Sequence, residues 1–108
     1  MAQTPRIFAQ QYAPTEASPA LYTVEASHFA QLGIFISNHS PVMDYVSVAL
    51  VPSTQNATSN KNYIAYNTPL IGNGVLAFAS ISLGSGDSIH VVSVTGSSSF
   101  TATGMDFS

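Results

Sequence analysis

The sequence predicts an all-β domain: an antiparallel β-sandwich, jelly-roll-like in arrangement, preceded by an extended N-terminal arm. Three observations predict it. Val, Ile, Tyr, Phe and Thr recur in runs of four to eight residues separated by Gly, Pro, Asn and Ser, the residue choice of strands and turns. Several runs alternate apolar and polar residues with a period of two, and no window sustains an apolar i, i+3, i+4 pattern with caps, so no long helix is expected. Turn signals return about every 8–12 residues, the spacing of a sandwich.

Taken in order, residues 1–18 carry Pro5, Pro14, Gln3, Gln10 and Gln11, with Pro19 next in the chain. That composition suits an extended arm better than a packed strand. Ile7, Phe8 and Tyr12 give the arm three apolar anchors, and they are the candidate interaction residues. Residues 19–108 form the body. Ala20–Ala26 reads as its first strand. Phe29–Asn38 follows, with Leu32, Ile34 and Ile36 alternating against Gln31, Gly33 and Ser37. Asn38-His39-Ser40-Pro41 is turn chemistry. In Asp44–Pro52, Val46, Val48 and Leu50 share one face. Ser53–Lys61 reads as a polar surface loop and Tyr63–Thr68 as a short strand. Leu70-Ile71-Gly72-Asn73-Gly74 turns the chain into the strand Val75–Leu83. Gly84-Ser85-Gly86-Asp87 reads as a hairpin turn with Asp87 bonding nearby backbone. Ser88–Val94 and Ser98–Phe107 read as a closing hairpin around Thr95-Gly96-Ser97.

Composition narrows the function. The chain has 108 residues, of which only 6% are charged, with two basic and five acidic side chains and a net charge of −3. An average domain carries about 25% charged residues. Sixteen serines and nine threonines supply the polar surface instead. Two cations cannot neutralise a phosphate backbone or form a polybasic membrane patch, so neither nucleic acid nor membrane is an expected partner. The absence of cysteine excludes disulfides, thiolate metal sites and a cysteine nucleophile. Met-Ala-Gln-Thr-Pro-Arg lacks the apolar run of a secretory signal, so synthesis in the cytoplasm is expected and the acceptor-like Asn38-His39-Ser40 and Asn56-Ala57-Thr58 are chance matches.

Candidate chemistry is sparse. His28, His39 and His90 lack the spacing that presents two nitrogens to one metal. No G-x-S-x-G elbow occurs, and Gly84–Asp87 lacks the lysine of a phosphate loop. Glu25, Asp44 and Asp87 each stand alone in their segments, without a partner for glycoside hydrolysis. The sequence therefore predicts a protein that is not an enzyme and holds no cofactor or metal. Tyr22, Tyr45, Tyr63 and Tyr66 offer either sheet packing or an aromatic platform for a sugar.

A succession of blocks carries a resemblance. Leu21-Tyr22-Thr23-Val24 opens the body. Tyr45-Val-Ser-Val-Ala-Leu-Val-Pro52 and Asn62-Tyr-Ile-Ala-Tyr-Asn-Thr-Pro-Leu70 follow. Leu83-Gly-Ser-Gly-Asp-Ser-Ile89 and Ser99-Phe-Thr-Ala-Thr-Gly104 complete the series. Over residues 21–104 this resembles a group of small β-sandwich virion structural proteins of tailed bacteriophages. Glu25 stands where the group has proline, and Asn67 where aspartate is common. The resemblance implies a virion protein, foremost a capsid decoration or cement protein that binds the major capsid protein and forms a homo-oligomer, a trimer in the favoured case. It leaves open a tail, neck or fibre-associated component. A glycan-binding adhesion sandwich and a small hydrolase are the readings from other classes.

Overall fold

A computed structural model describes residues 3–12, 20–55 and 60–108. Eight strands build it: β1 (Gln3–Tyr12), β2 (Tyr22–Thr23), β3 (Phe29–Asn38), β4 (Asp44–Val51), β5 (Tyr63–Leu70), β6 (Val75–Leu83), β7 (Ser88–Ser93) and β8 (Ser98–Phe107). They form two four-stranded antiparallel sheets, ordered β1-β8-β3-β6 and β2-β7-β4-β5. No α-helix occurs among the described residues; one 3-10 turn, Asn60–Asn62, precedes β5. Among the described residues no helix is long and apolar enough to cross a membrane.

Period-two alternation explains how the core assembles. In β3, Ala30, Leu32, Ile34 and Ile36 point inward, in β4 Val46 and Val48, in β7 Ile89 and Val91, and in β8 Phe100 and Ala102. These side chains from both sheets, with Leu70, Ile81 and Leu83, form one apolar cluster. Each fully buried side chain of this size is worth about 1.5–3 kcal/mol of transfer free energy.

Residues 3–12 are extended, as the prolines and glutamines predict, but they do not stand free of the body. They form an edge strand paired with β8 from Gln3↔Phe107 to Tyr12↔Ser99, with a bulge between Ile7 and Ala9. Pro5 is accommodated because one side of an edge strand needs no donor. The remaining arm positions, 1–2 and 13–18, lie outside the described residues, as do Asn56-Ala57-Thr58 and Ser59 of the polar loop.

Two turns differ from the expectation. Ser88–Ser93 and Ser98–Phe107 are not a hairpin: β7 pairs with β2 and β4, whereas β8 pairs with β1 and β3. Gly84–Asp87 likewise carries the chain from one sheet to the other. There Asp87 accepts the Ser53 amide at 2.9 Å and the Gly84 amide at 2.8 Å. The physical reason is register. β8 matches β3 over ten residues, Phe29↔Phe107 to Asn38↔Ser98, and that long pairing outweighs a short local one. The first body strand also shrinks to Tyr22–Thr23, because Ser27 (φ 68°) and the bond from the His28 amide to Glu25 O (3.1 Å) turn the chain after Val24.

Candidate interaction surface

The β3–β8 register gives the molecule two unlike ends. One holds the start of β3 and the end of β8, the other the end of β3 and the start of β8.

The first end gathers charge. The Arg6 guanidinium lies 3.2 Å from Asp106 and 3.8 Å from Glu25. His28 Nδ1 lies 3.0 Å from Asp106 Oδ1, and its Nε2 3.8 Å from Glu25. The hydrogen bond from His28 holds the Asp106 carboxyl below the ordinary aspartate value; Arg6 adds to this and burial opposes it. Arg6 also covers the Phe8 ring at 5.1 Å and the Tyr22 ring at 6.0 Å. The cluster fastens β1 to β8 and to the turn before β3. Among the described residues no group of three His, Asp or Glu is placed to hold a metal ion.

The three arm anchors therefore separate. Phe8 is buried, its ring 5.0 Å from that of Tyr22. Ile7, one position away on an alternating strand, is exposed. The Tyr12 backbone pairs with Ser99; its side chain lies outside what the structure describes. Phe8 thus anchors β1 to its own domain. Deleting residues 1–12 should lower stability by about 3 kcal/mol or more through loss of this buried ring and the β8 pairing. Urea unfolding measures it, and an unchanged midpoint would show that β1 is dispensable to the body.

The second end is apolar and built from three loops, residues 39–43, 71–74 and 94–97. Two buried polar side chains hold them. Asn38, at the end of β3, donates from Nδ2 to the carbonyls of Val42 (2.9 Å), Leu70 (3.3 Å) and Ile71 (3.3 Å). Its Oδ1 accepts from the Ser40 amide (3.0 Å) and the Ser97 hydroxyl (2.9 Å). Asp44, at the start of β4, is fully buried. It accepts from the Ser93 hydroxyl, the Ser98 hydroxyl (2.5 Å), the Thr95 amide (3.0 Å) and its neighbour's amide at Tyr45 (2.8 Å). Gly72 is required by close approach: a Cβ there would stand 2.0 Å from the Pro41 carbonyl oxygen.

Burial pushes the Asp44 carboxyl up, but the Ser93 and Ser98 hydroxyls and Thr95 more than offset it, leaving it below the ordinary value. A carboxyl depressed in the folded state stabilises above its unfolded pKa, about 3.9. That contribution is lost as pH falls through the lower folded value. The melting temperature should therefore drop steeply in acid below about pH 4, with a shallower acid limb in Asp44→Asn. Equal limbs in the two proteins would assign the acid sensitivity elsewhere.

On this scaffold Val42, Ile71 and Val75 are 65, 68 and 67% exposed, and Met43, Tyr45 and Val94 about half exposed. Apart from buried Asp44, the only ionisable side chain in the three loops is His39, whose Nε2 lies 2.8 Å from the Ser99 hydroxyl. Large apolar side chains exposed together at one end of the molecule offer a surface for interaction. Loops already fixed by buried hydrogen bonds lose little entropy on docking.

The tyrosines do not form one platform. Tyr63 and Tyr66 meet edge to face on β5 at 4.9 Å, Tyr45 lies on β4, and Tyr22 packs at the charged end. Sequence reasoning missed Asn38 and Asp44 as organising residues. The available signal was an isolated acid opening an apolar strand in a chain with almost no charge. Comparisons with protein families, with curated proteins and with solved structures find no match to this chain.

Proposed function

We propose that this protein is a structural component of a bacteriophage particle, a decoration or cement protein that docks its apolar loop end on the major capsid protein. The observation that carries the reading is that end: exposed Val42, Ile71 and Val94 on loops fixed by Asn38 and Asp44, with exposed Val75 opening β6 beside them. Two further features support it. The two four-stranded antiparallel sheets, ordered β1-β8-β3-β6 and β2-β7-β4-β5, support a jelly-roll-like sandwich, an architecture used by viral capsid domains. A surface of hydroxyls and amides can be covered by neighbours without the desolvation cost of ions, and a crowded array of such subunits suffers little like-charge repulsion. A cyclic homo-oligomer, with a trimer favoured, repeats the docking end around a symmetry axis.

The test is the copy number of the protein in purified particles, by quantitative mass spectrometry against the major capsid protein. A ratio of the same order as the capsid subunit is expected. A far lower ratio would move the protein to neck, tail or fibres, and absence from particles would end the structural reading.

A further inference from the structure

On the outer face of the β1-β8-β3-β6 sheet, where Gly104 pairs with Arg6, three departures from regular structure coincide. Leu32 pairs with Ile81 and Ile34 with Phe78, so Ala79 and Ser80 together face the single residue Gly33. Ser80 is held at φ 62°, a left-handed conformation that an ordinary side chain adopts at a cost. Gly104, on the other side of β3, approaches so closely that a Cβ there would stand 2.2 Å from the Gln31 carbonyl oxygen. β-bulges of this kind re-aim side chains and gather beside binding sites.

The result is an open groove of about 320 Å³, at the lower end of the range for small-ligand sites. Its floor is Gly33 and Gly104, and its walls include Gln31, Ser80, Ser82, Thr103 and Met105. A Cβ at Gly33 would lie 3.8 Å from the Phe35 ring, so this half-exposed aromatic borders the floor. Thr103 donates its hydroxyl to the Arg6 carbonyl at 3.1 Å and keeps acceptor capacity.

The chemistry selects among ligands. None of the lining side chains carries a charge, so an ionic ligand would lose hydration with nothing to replace it, and a phosphate would meet no cation. An extended peptide lying over the floor cannot add as a strand to β3, which is already paired on both sides by β6 and β8. Serine and threonine hydroxyls and a glutamine amide both donate and accept, matching a ligand dense in hydroxyls. The Phe35 ring and Met105 offer apolar surface for its C–H face. We propose that the bulge groove binds a neutral saccharide of one or two rings, with Phe35 as the stacking side chain and Ser80 as a hydrogen-bonding one. The inference does not depend on the particle reading, and it concerns the free protein.

Methyl-labelled methionine separates the sites, since Met105 lines the groove and Met43 lies by the apolar loops. The protein would be titrated by NMR with D-glucose, D-galactose, N-acetyl-D-glucosamine, lactose and chitobiose, and with glucuronate as the charged contrast. At least one neutral sugar should shift the Met105 methyl saturably at millimolar concentration and leave Met43 unmoved. Ser80→Gly suits the backbone conformation and removes the hydroxyl; Phe35→Ala removes an exposed ring. Each should keep the fold and weaken that binding about three- to tenfold. The proposal is overturned if no neutral sugar saturates the Met105 shift, if both variants bind as wild type does, or if glucuronate binds as tightly as the best neutral sugar.

Discussion

Asp44→Ala should destabilise the protein by on the order of 3–5 kcal/mol, a large share of the roughly 5–15 kcal/mol typical of a domain. The carboxylate answers two hydroxyls and two amides, from Ser93, Ser98, Thr95 and Tyr45. Removing it leaves those donors facing a cavity at a fully buried site. Asp44→Asn keeps one acceptor oxygen but turns an amide donor toward hydroxyls, so its loss should be intermediate. Urea unfolding followed by tyrosine fluorescence would report both. A loss under about 1 kcal/mol for the alanine variant would mean that water or new partners satisfy the hydroxyls.

The largest functional effect belongs to the opposite kind of substitution. Val42 and Ile71 project from loops whose backbone is fixed from beneath by Asn38. Converting both to aspartate should leave stability within about 0.5 kcal/mol, as for exposed positions away from caps and cores. The same pair of charges, buried without partners against capsid protein, should weaken particle binding more than about a hundredfold. Co-sedimentation of the purified variant with undecorated shells measures this. Wild-type binding by a folded double variant would place the contact on another face.

Much of the fold was legible, and what was not has a common cause. β3, β6 and β8 occupy the ranges that their alternation predicts, because period-two patterning and Gly or Asn turn residues act locally. The partnership of strands is not local. Nothing within Ser88–Phe107 announces that Ser98 pairs with Asn38 rather than with Ser93. β1 was legible as extended but not as paired: Pro5 and its glutamines describe an edge strand and a free arm equally well, and only Phe8 entering the core separates the two. The apolar loop end was hidden for a related reason. Val42, Met43 and Ile71 sit among turn residues, and Asn38 and Asp44 look like ordinary turn polars until their acceptors and donors are seen. The groove needed still more, since a bulge at Ser80 exists only relative to the register of β3.

The position of β8 has a consequence for how the protein comes into being. β8 lies between β1 and β3, yet it follows all seven other strands in sequence and is the last of the eight to be synthesised. Until residue 107 has emerged, β1 has no partner and β3 has only β6. Arg6 and Asp106, which meet in the finished molecule, are 100 positions apart in sequence. The first sheet therefore cannot close until β8 has emerged. Closing loops of that length before any reward makes such topologies slow, with apolar strands uncovered in the interval. A chain with so few charges has little repulsion to keep those intermediates apart, so its yield in the cell should depend on synthesis rate and chaperone supply more than on the stability of the folded state.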